Sequence, residues 1–209
     1  MTPPAVSKAS PRARQIVSAA RELLEQEGAA ALSMRRIADR LGIRAPSLYK
    51  HLPDKKALEA AVISEGLAEW AELAERALRD TDPLTALGHT YRAFARNHPH
   101  LYRLMTERPL PRAQLIPGVE DRAALPVIEA AGGDPDLARA VWAFAHGMVI
   151  LELNDRFPAD ADLDAAWRLG LEAFRGRRES GHAGTSRGSE TLSSSAACHC
   201  SRTTTRSSR

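Results

Sequence analysis

Ile16, Ala20, Leu23 and Leu24 recur three and four positions apart, the spacing that puts apolar side chains on one face of an α-helix, and Gly28 is placed to end it. Ser33 then precedes Met34, Ile37, Ala38 and Leu41 in the same rhythm. That pattern predicts a second helix, capped by the Ser33 hydroxyl and closed by Gly42 in a left-handed turn. Pro46 is tolerated in a first helical turn, and Leu48 and Leu52 stand four apart on one face. A third helix of about two turns follows, ended by Pro53. Asp54 can cap a long fourth helix, whose Leu58, Val62, Gly66, Trp70, Leu73 and Ala77 form a continuous stripe up to Asp80.

Asp82-Pro83 opens a fifth helix carrying Leu87, Tyr91, Phe94 and Ala95, and Asn97-His98-Pro99-His100 interrupts it before Leu101, Leu104 and Met105. Segment 107–117 holds three prolines and reads as a loop. Ile128 and Ala131 lie on a further helix stopped by Gly132-Gly133, and Asp134-Pro135 starts another. That helix, Leu137 to about Arg156, includes WAFAHGMVILEL and is apolar nearly all round, which implies burial on more than one side. A last helix from about Asp160 offers Leu163, Ala166, Trp167, Gly170, Leu171 and Phe174 on one face. The expected fold is all-α. The two closing apolar helices either bury within one subunit or form a surface for a second copy.

Composition supports that class. With 44% hydrophobic and only 5% aromatic residues, the chain suits packed helices better than a β-sandwich. The opening residues hold no apolar core of signal-peptide length, and the longest apolar run, Val141 to Leu151, is interrupted by His146 and falls short of a bilayer span. A cytoplasmic protein with no membrane partner is expected. The two cysteines, Cys198 and Cys200, cannot staple a fold, and Cys198-His199-Cys200 is too compact to wrap a tetrahedral metal ion.

Net charge is +3, but its distribution is uneven. Residues 1–56 hold eleven Lys and Arg against five acids, residues 57–175 hold twelve against nineteen, and residues 176–209 hold six against two. A basic head on an acidic body suggests a polyanion partner, although a merely solvated basic face gives the same totals. From Gly176 onward the composition turns to Ser, Thr, Gly and Arg, too poor in large apolar residues to offset the entropy of ordering. The expected organisation is a disordered start over 1–10, a head over 11–56, a body over 57–175 and a disordered tail over 176–209.

The second helix, the turn at Gly42 and the short third helix together make a helix-turn-helix, whose second helix enters the DNA major groove. With Leu48 and Leu52 turned inward, Arg44, Ala45, Ser47, Tyr49, Lys50 and His51 remain for solvent or DNA. Hydroxyls and Lys suit phosphate, Arg suits guanine, and Ala or Pro suits a thymine methyl. The run SMRRIADRLGIRAPSLYKHLPDKKAL, within Ser10 to Val62, resembles the N-terminal domain of the tetracycline-repressor-type (TetR) family of bacterial transcription regulators. The resemblance implies that Arg35 contacts a base or phosphate. It implies that Ala45, Pro46 and Ser47 begin the base-reading helix and that Tyr49, His51 and Lys55 contact phosphates. Ala45 departs from a hydrogen-bonding reader, so readout there is apolar or absent.

WxFxHGMxxLE, Trp142 to Glu152, also resembles the C-terminal domain of one branch of this family. The two resemblances imply a homodimer formed through the last two helices, double-stranded operator DNA as a partner and a small-molecule effector. Trp70, Tyr91, Phe94, Tyr102, Met105 and Trp142 are core residues by their spacing, and several are candidates to line an effector pocket. His146 sits among Phe144, Ala145, Met148 and Val149, either as a satisfied core or interface histidine or as a polar contact in that pocket. No Gly-rich phosphate loop, HExxH or G-x-S-x-G occurs, so no enzyme and no cofactor is expected. The reading is a ligand-responsive, homodimeric repressor; the alternative is a helical small-molecule-binding protein without an operator.

Overall fold

The computed structural model describes residues 10–185, and among them the chain is helical with two short 3-10 turns and no strand. Helix α1 runs Pro11–Glu27, α2 Met34–Arg40, α3 Ala45–Tyr49, α4 Lys55–Ala77 and α5 Pro83–Asn97. Then come α6 Pro99–Thr106, α7 Val119–Ala130, α8 Pro135–Leu153 and α9 Leu163–Thr185. The start assigned to disorder lies outside the described residues up to position 9, as do Cys198 and Cys200.

Six of these helices begin on a side chain that satisfies otherwise unpaired backbone donors, α9 among them through Asp162, which accepts from the Ala165 N–H at 2.9 Å. Ser10, Ser33, Asp54 and Asp82 accept from the N–H of Ala13, Arg36, Ala57 and Thr85, and Asp134 accepts from both Asp136 and Leu137. Such caps stabilise a helix start by about 1 kcal/mol each. Gly42, at φ +63°, makes the left-handed turn that swings α3 across α2.

Four features differ from the sequence expectation. Helix α3 is only five residues long, but the Leu52 N–H still donates to the Leu48 carbonyl at 2.9 Å, so its second turn persists as an open turn before Pro53. Helix α7 begins at Val119 and passes through Pro126, whose missing N–H hid the helix from the pattern. Helix α9 continues to Thr185, so the boundary placed at 176 falls within a helix; extending a helix already anchored by buried Trp167 and Leu171 costs far less than nucleating one. Within this chain α8 buries Ala138, Val141, Ala145 and Val149 but leaves Leu151, on the opposite face, 41% exposed, while Trp142, 52% exposed, borders the buried stripe and turns to Tyr91.

One core runs through head and body. Ile16, Leu24, Ile37 and Leu48 fill the head, Leu58 and Val62 carry the core into α4, and Leu101, Tyr102, Trp167 and Leu171 continue it through the body. The boundary drawn after residue 56 lies in the first turn of α4, so one continuous helix belongs to both parts. Helix α4 packs against α1, α5, α6 and α7, while α5 packs against α8 and α9. Loop 107–118 is pinned to α4 by buried Ser64, whose Oγ accepts from the Ile116 N–H at 3.1 Å and donates to the Ala60 carbonyl at 2.8 Å.

Helix α9 approaches α8 closely at Gly170, where a Cβ would overlap the Phe144 ring. That ring cannot swing aside freely, because it packs against Trp167 and Phe174 at 5.7 Å between centroids. Gly170→Ala is therefore expected to destabilise the protein by about 1–3 kcal/mol through overpacking, despite the gain of about 1 kcal/mol that alanine ordinarily brings to a helix. Urea unfolding checks this; an unchanged or raised midpoint would show that α8 and α9 can part there.

Candidate nucleic-acid interface and ligand cavity

The head sorts its cations into two groups. Arg36 pairs with Glu27 at 2.6 Å and Arg40 with Glu22 at 3.0 Å, so these charges tie α2 to α1. Arg35, Arg44 and Lys50 are exposed and make no ion pair with another described residue. Lys55, the first residue of α4, reaches only its own helix, 3.6 Å from Glu59. Pro46, Ser47, Tyr49 and His51 are exposed alongside these cations, with Tyr49 at 50%, while Ala45 is half-buried. The residues expected to meet DNA thus share the exposed side of α3 and its flanks, with Leu48 fully buried behind them.

The head meets the body at the break between α5 and α6. His98 lies 3.4 Å from both Glu25 on α1 and Glu69 on α4, and Arg21 donates to Glu69 at 2.9 Å. Gly28, which ends α1, stands against the His100 ring. His98 and His100 are accordingly contacts at the junction, and among the described residues no cluster of His, Cys, Asp and Glu is arranged to hold a metal.

A cavity of about 720 Å³ opens in the body, walled by residues of α4 to α8. Trp70, Tyr91, Phe94, Tyr102, Met105 and Trp142 all line it. His146 does not: one position beyond Ala145, it is turned away from the space and stands behind Tyr102, with Nδ1 2.7 Å from the phenol oxygen. Arg108 and Leu110 from the proline-rich loop and Ala123, Val127 and Ile128 from α7 also line the cavity. These were missed, because the prolines of 107–117 marked a loop without showing where it folds.

The walls are apolar and the charges lie at the mouth. Arg108, Arg112, Asp121 and Arg139 are exposed, and Arg112 forks onto Glu120 at 2.9–3.0 Å. Inside, Trp70 donates its indole N–H to the Ala123 carbonyl at 3.1 Å. Burial pushes the Tyr91 and Tyr102 phenols above their usual range, so both keep their protons. Burial also holds His146 below its ordinary value, against the opposing charge of Glu107, which favours the neutral imidazole.

An exposed basic helix-turn-helix joined by one helix to a body with an apolar cavity has the build of a DNA-binding regulator. Comparison with known proteins agrees. Residues 16–62 match the bacterial regulatory proteins of the tetR family, and residues 84–174 match the tetracyclin repressor-like C-terminal domain. The chain belongs to the TetR family of transcriptional regulators, which are not enzymes. It is 29% identical over 185 residues to an uncharacterized HTH-type transcriptional regulator of Mycobacterium tuberculosis, a match covering 81% of this chain and 84% of that relative. The class D tetracycline repressor protein of Escherichia coli is 34% identical over 88 residues, 42% of this chain but 36% of the repressor. A TetR variant of Acinetobacter baumannii AYE, solved in complex with minocycline, is 26% identical with a TM-score of 0.55, covering 78% of this chain and 94% of its own. No helix among the described residues is long and apolar enough to cross a membrane.

Proposed function

We propose that this regulator is a homodimeric cytoplasmic repressor that holds an operator through α3 and its flanks and lets go when a small, largely apolar molecule fills the cavity. The observation that carries this reading is the course of α4. It starts at Lys55 beside the basic face and supplies Trp70 to the cavity wall, within 23 residues that span about 35 Å. A tilt set by the cavity therefore displaces the head. The minocycline complex of the A. baumannii TetR variant supports a ligand site in this kind of body.

In this reading Arg35 and the start of α3, Ala45 to Ser47, face base edges, with Ala45 offering only apolar contact. Arg44, Tyr49, Lys50, His51 and Lys55 hold phosphates. Two heads must sit about 34–36 Å apart to meet half-sites one turn apart, and effector binding favours a dimer that misses this spacing.

Two measurements test it, using the DNA that flanks the protein's own gene. Lys55→Ala is expected to weaken binding to all duplexes alike and flatten the dependence of log K on log salt by about one unit, because one phosphate counterion fewer is released. An unchanged slope removes Lys55 from the interface. A true effector is expected to lower operator affinity by a coupling of about 1–3 kcal/mol, and operator DNA must weaken effector binding by the same factor. A ligand that fills the cavity without changing operator affinity would refute release by that route.

A further inference from the structure

The polar side of the cavity is a single file of hydrogen bonds. The Trp142 indole nitrogen lies 3.1 Å from the Tyr91 phenol oxygen, that oxygen 3.0 Å from the Tyr102 phenol oxygen, and the latter 2.7 Å from His146 Nδ1. An indole N–H only donates, so Tyr91 accepts from Trp142. The other two links can run in either direction. In one order Tyr91 donates to Tyr102 and Tyr102 donates to Nδ1, leaving the imidazole proton on Nε2. In the other, Nδ1–H donates to Tyr102 and Tyr102 donates to Tyr91.

The two orders differ in what Tyr91 shows the cavity. In the first it shows a lone pair, and every hydroxyl proton is bonded. In the second it shows its O–H proton, which needs an acceptor. Tyr91 is buried and lines an apolar space, where an unpaired proton is costly, so without an acceptor the first order prevails. An acceptor placed at Tyr91 reverses the balance.

We infer that the cavity takes an uncharged, largely apolar ligand whose polar atom is read by the Tyr91 hydroxyl, and that a hydrogen-bond acceptor there reverses the file and shifts the His146 proton from Nε2 to Nδ1. This rests on the cavity being the effector site. The ligand is uncharged because the groups along the file are phenol, indole and imidazole, whereas the charged lining residues stand at the mouth. No net proton is gained: the hydroxyls rotate, Nε2 returns a proton to solvent and Nδ1 takes one. The result is a bare Nε2 on α8 in place of an N–H, beside the half-exposed Trp142.

Three probes of one skeleton separate the cases: benzophenone carries an acceptor, diphenylamine a donor, and diphenylmethane neither. The full-length protein is labelled with 15N-histidine, and the His146 resonances are assigned by their loss in His146→Gln. The free protein is expected to show the Nε2–H pattern. Benzophenone is expected to convert it to Nδ1–H, and diphenylamine and diphenylmethane are expected to leave it unchanged. Tyr91→Phe should weaken benzophenone, by calorimetry, about five- to tenfold, leave diphenylmethane unaffected and abolish the tautomer change. Tyr102→Phe, which cuts the same file one link later, should also abolish that change and serves if Tyr91→Phe does not fold.

A free protein already in the Nδ1–H form, a failure to bind benzophenone, or bound benzophenone with an unchanged tautomer overturns the inference. So does a tautomer change that survives Tyr91→Phe or Tyr102→Phe. If the tautomer shifts but operator affinity does not, the file stands and the effector reading fails. If a ligand releases the operator with the tautomer fixed, the reverse holds.

Discussion

Glu152→Ala is expected to destabilise the protein by about 3–5 kcal/mol, the cost of removing one partner from a buried charged pair. The Glu152 side chain is 8% exposed, and its two oxygens serve different helices. One accepts from Arg92 Nε on α5 at 2.9 Å, and the other accepts from the Trp167 indole N–H on α9. Trp167 is fully buried, and the Arg92 guanidinium lies 5.8 Å from its ring centroid. Burial works against the Arg92 charge, but hydrogen bonds to Asp164 and Glu152 outweigh it and raise its proton affinity above the ordinary value. Alanine at 152 leaves an indole N–H without its acceptor and a 13% exposed guanidinium held only by Asp164. Asp164 is itself 85% exposed and screened by solvent, so Asp164→Ala should destabilise far less than Glu152→Ala. Denaturant unfolding of both variants provides the check. Equal losses would mean that the pair on the surface, not the buried one, ties α5 to α8 and α9.

That clasp was not legible in the sequence, because its bonds close over sixty and seventy-two positions. What could be read was what a helix decides locally. Ser33, Asp54, Asp82 and Asp134 announced their helices because an N-cap needs only its own next three residues. Pro126 concealed most of α7 for the same reason, since a local rule places proline at helix starts whereas here its ring is buried within the helix. The basic excess of the head could be counted, but not the pairing of Arg36 and Arg40 with α1 that leaves Arg35, Arg44 and Lys50 for the outer face. The cavity was legible as a set of aromatics at helical spacing. Its geometry was not: the sequence reads His146 either as a core or interface histidine or as a polar contact in the wall, and it meets the cavity only through Tyr102, forty-four positions away.

The outward faces of α8 and α9 lead to the larger effect. Leu169→Arg is expected to leave the subunit folded, convert the dimer to monomers and weaken operator binding by about 10²- to 10⁴-fold, the advantage that joining two half-site contacts confers. Leu169, on α9, is 60% exposed, whereas Trp167 and Leu171 on the same helix are buried, so the substituted side chain adds nothing to the core of its own chain. Leu151 on the neighbouring α8 is also exposed, opposite that helix's buried stripe. Single apolar residues on a surface are ordinary, but large ones facing outward on both of the packed helices that close an all-α body are what a second copy would cover. In a two-fold interface residue 169 occurs twice, so each dimer would have to bury two unpaired guanidinium groups. The subunit itself keeps its caps, its clasp at Glu152 and its cavity, so helix content and benzophenone binding should match those of the parent protein. Sedimentation equilibrium reads the oligomeric state, and fluorescence anisotropy on a full operator and on a single half-site reads the consequence. Affinity for the half-site should hardly change, while the advantage of the full site disappears. A Leu169→Arg protein that remains dimeric would move the interface away from α9, and a monomer that binds the full operator undiminished would show that one head carries the recognition alone.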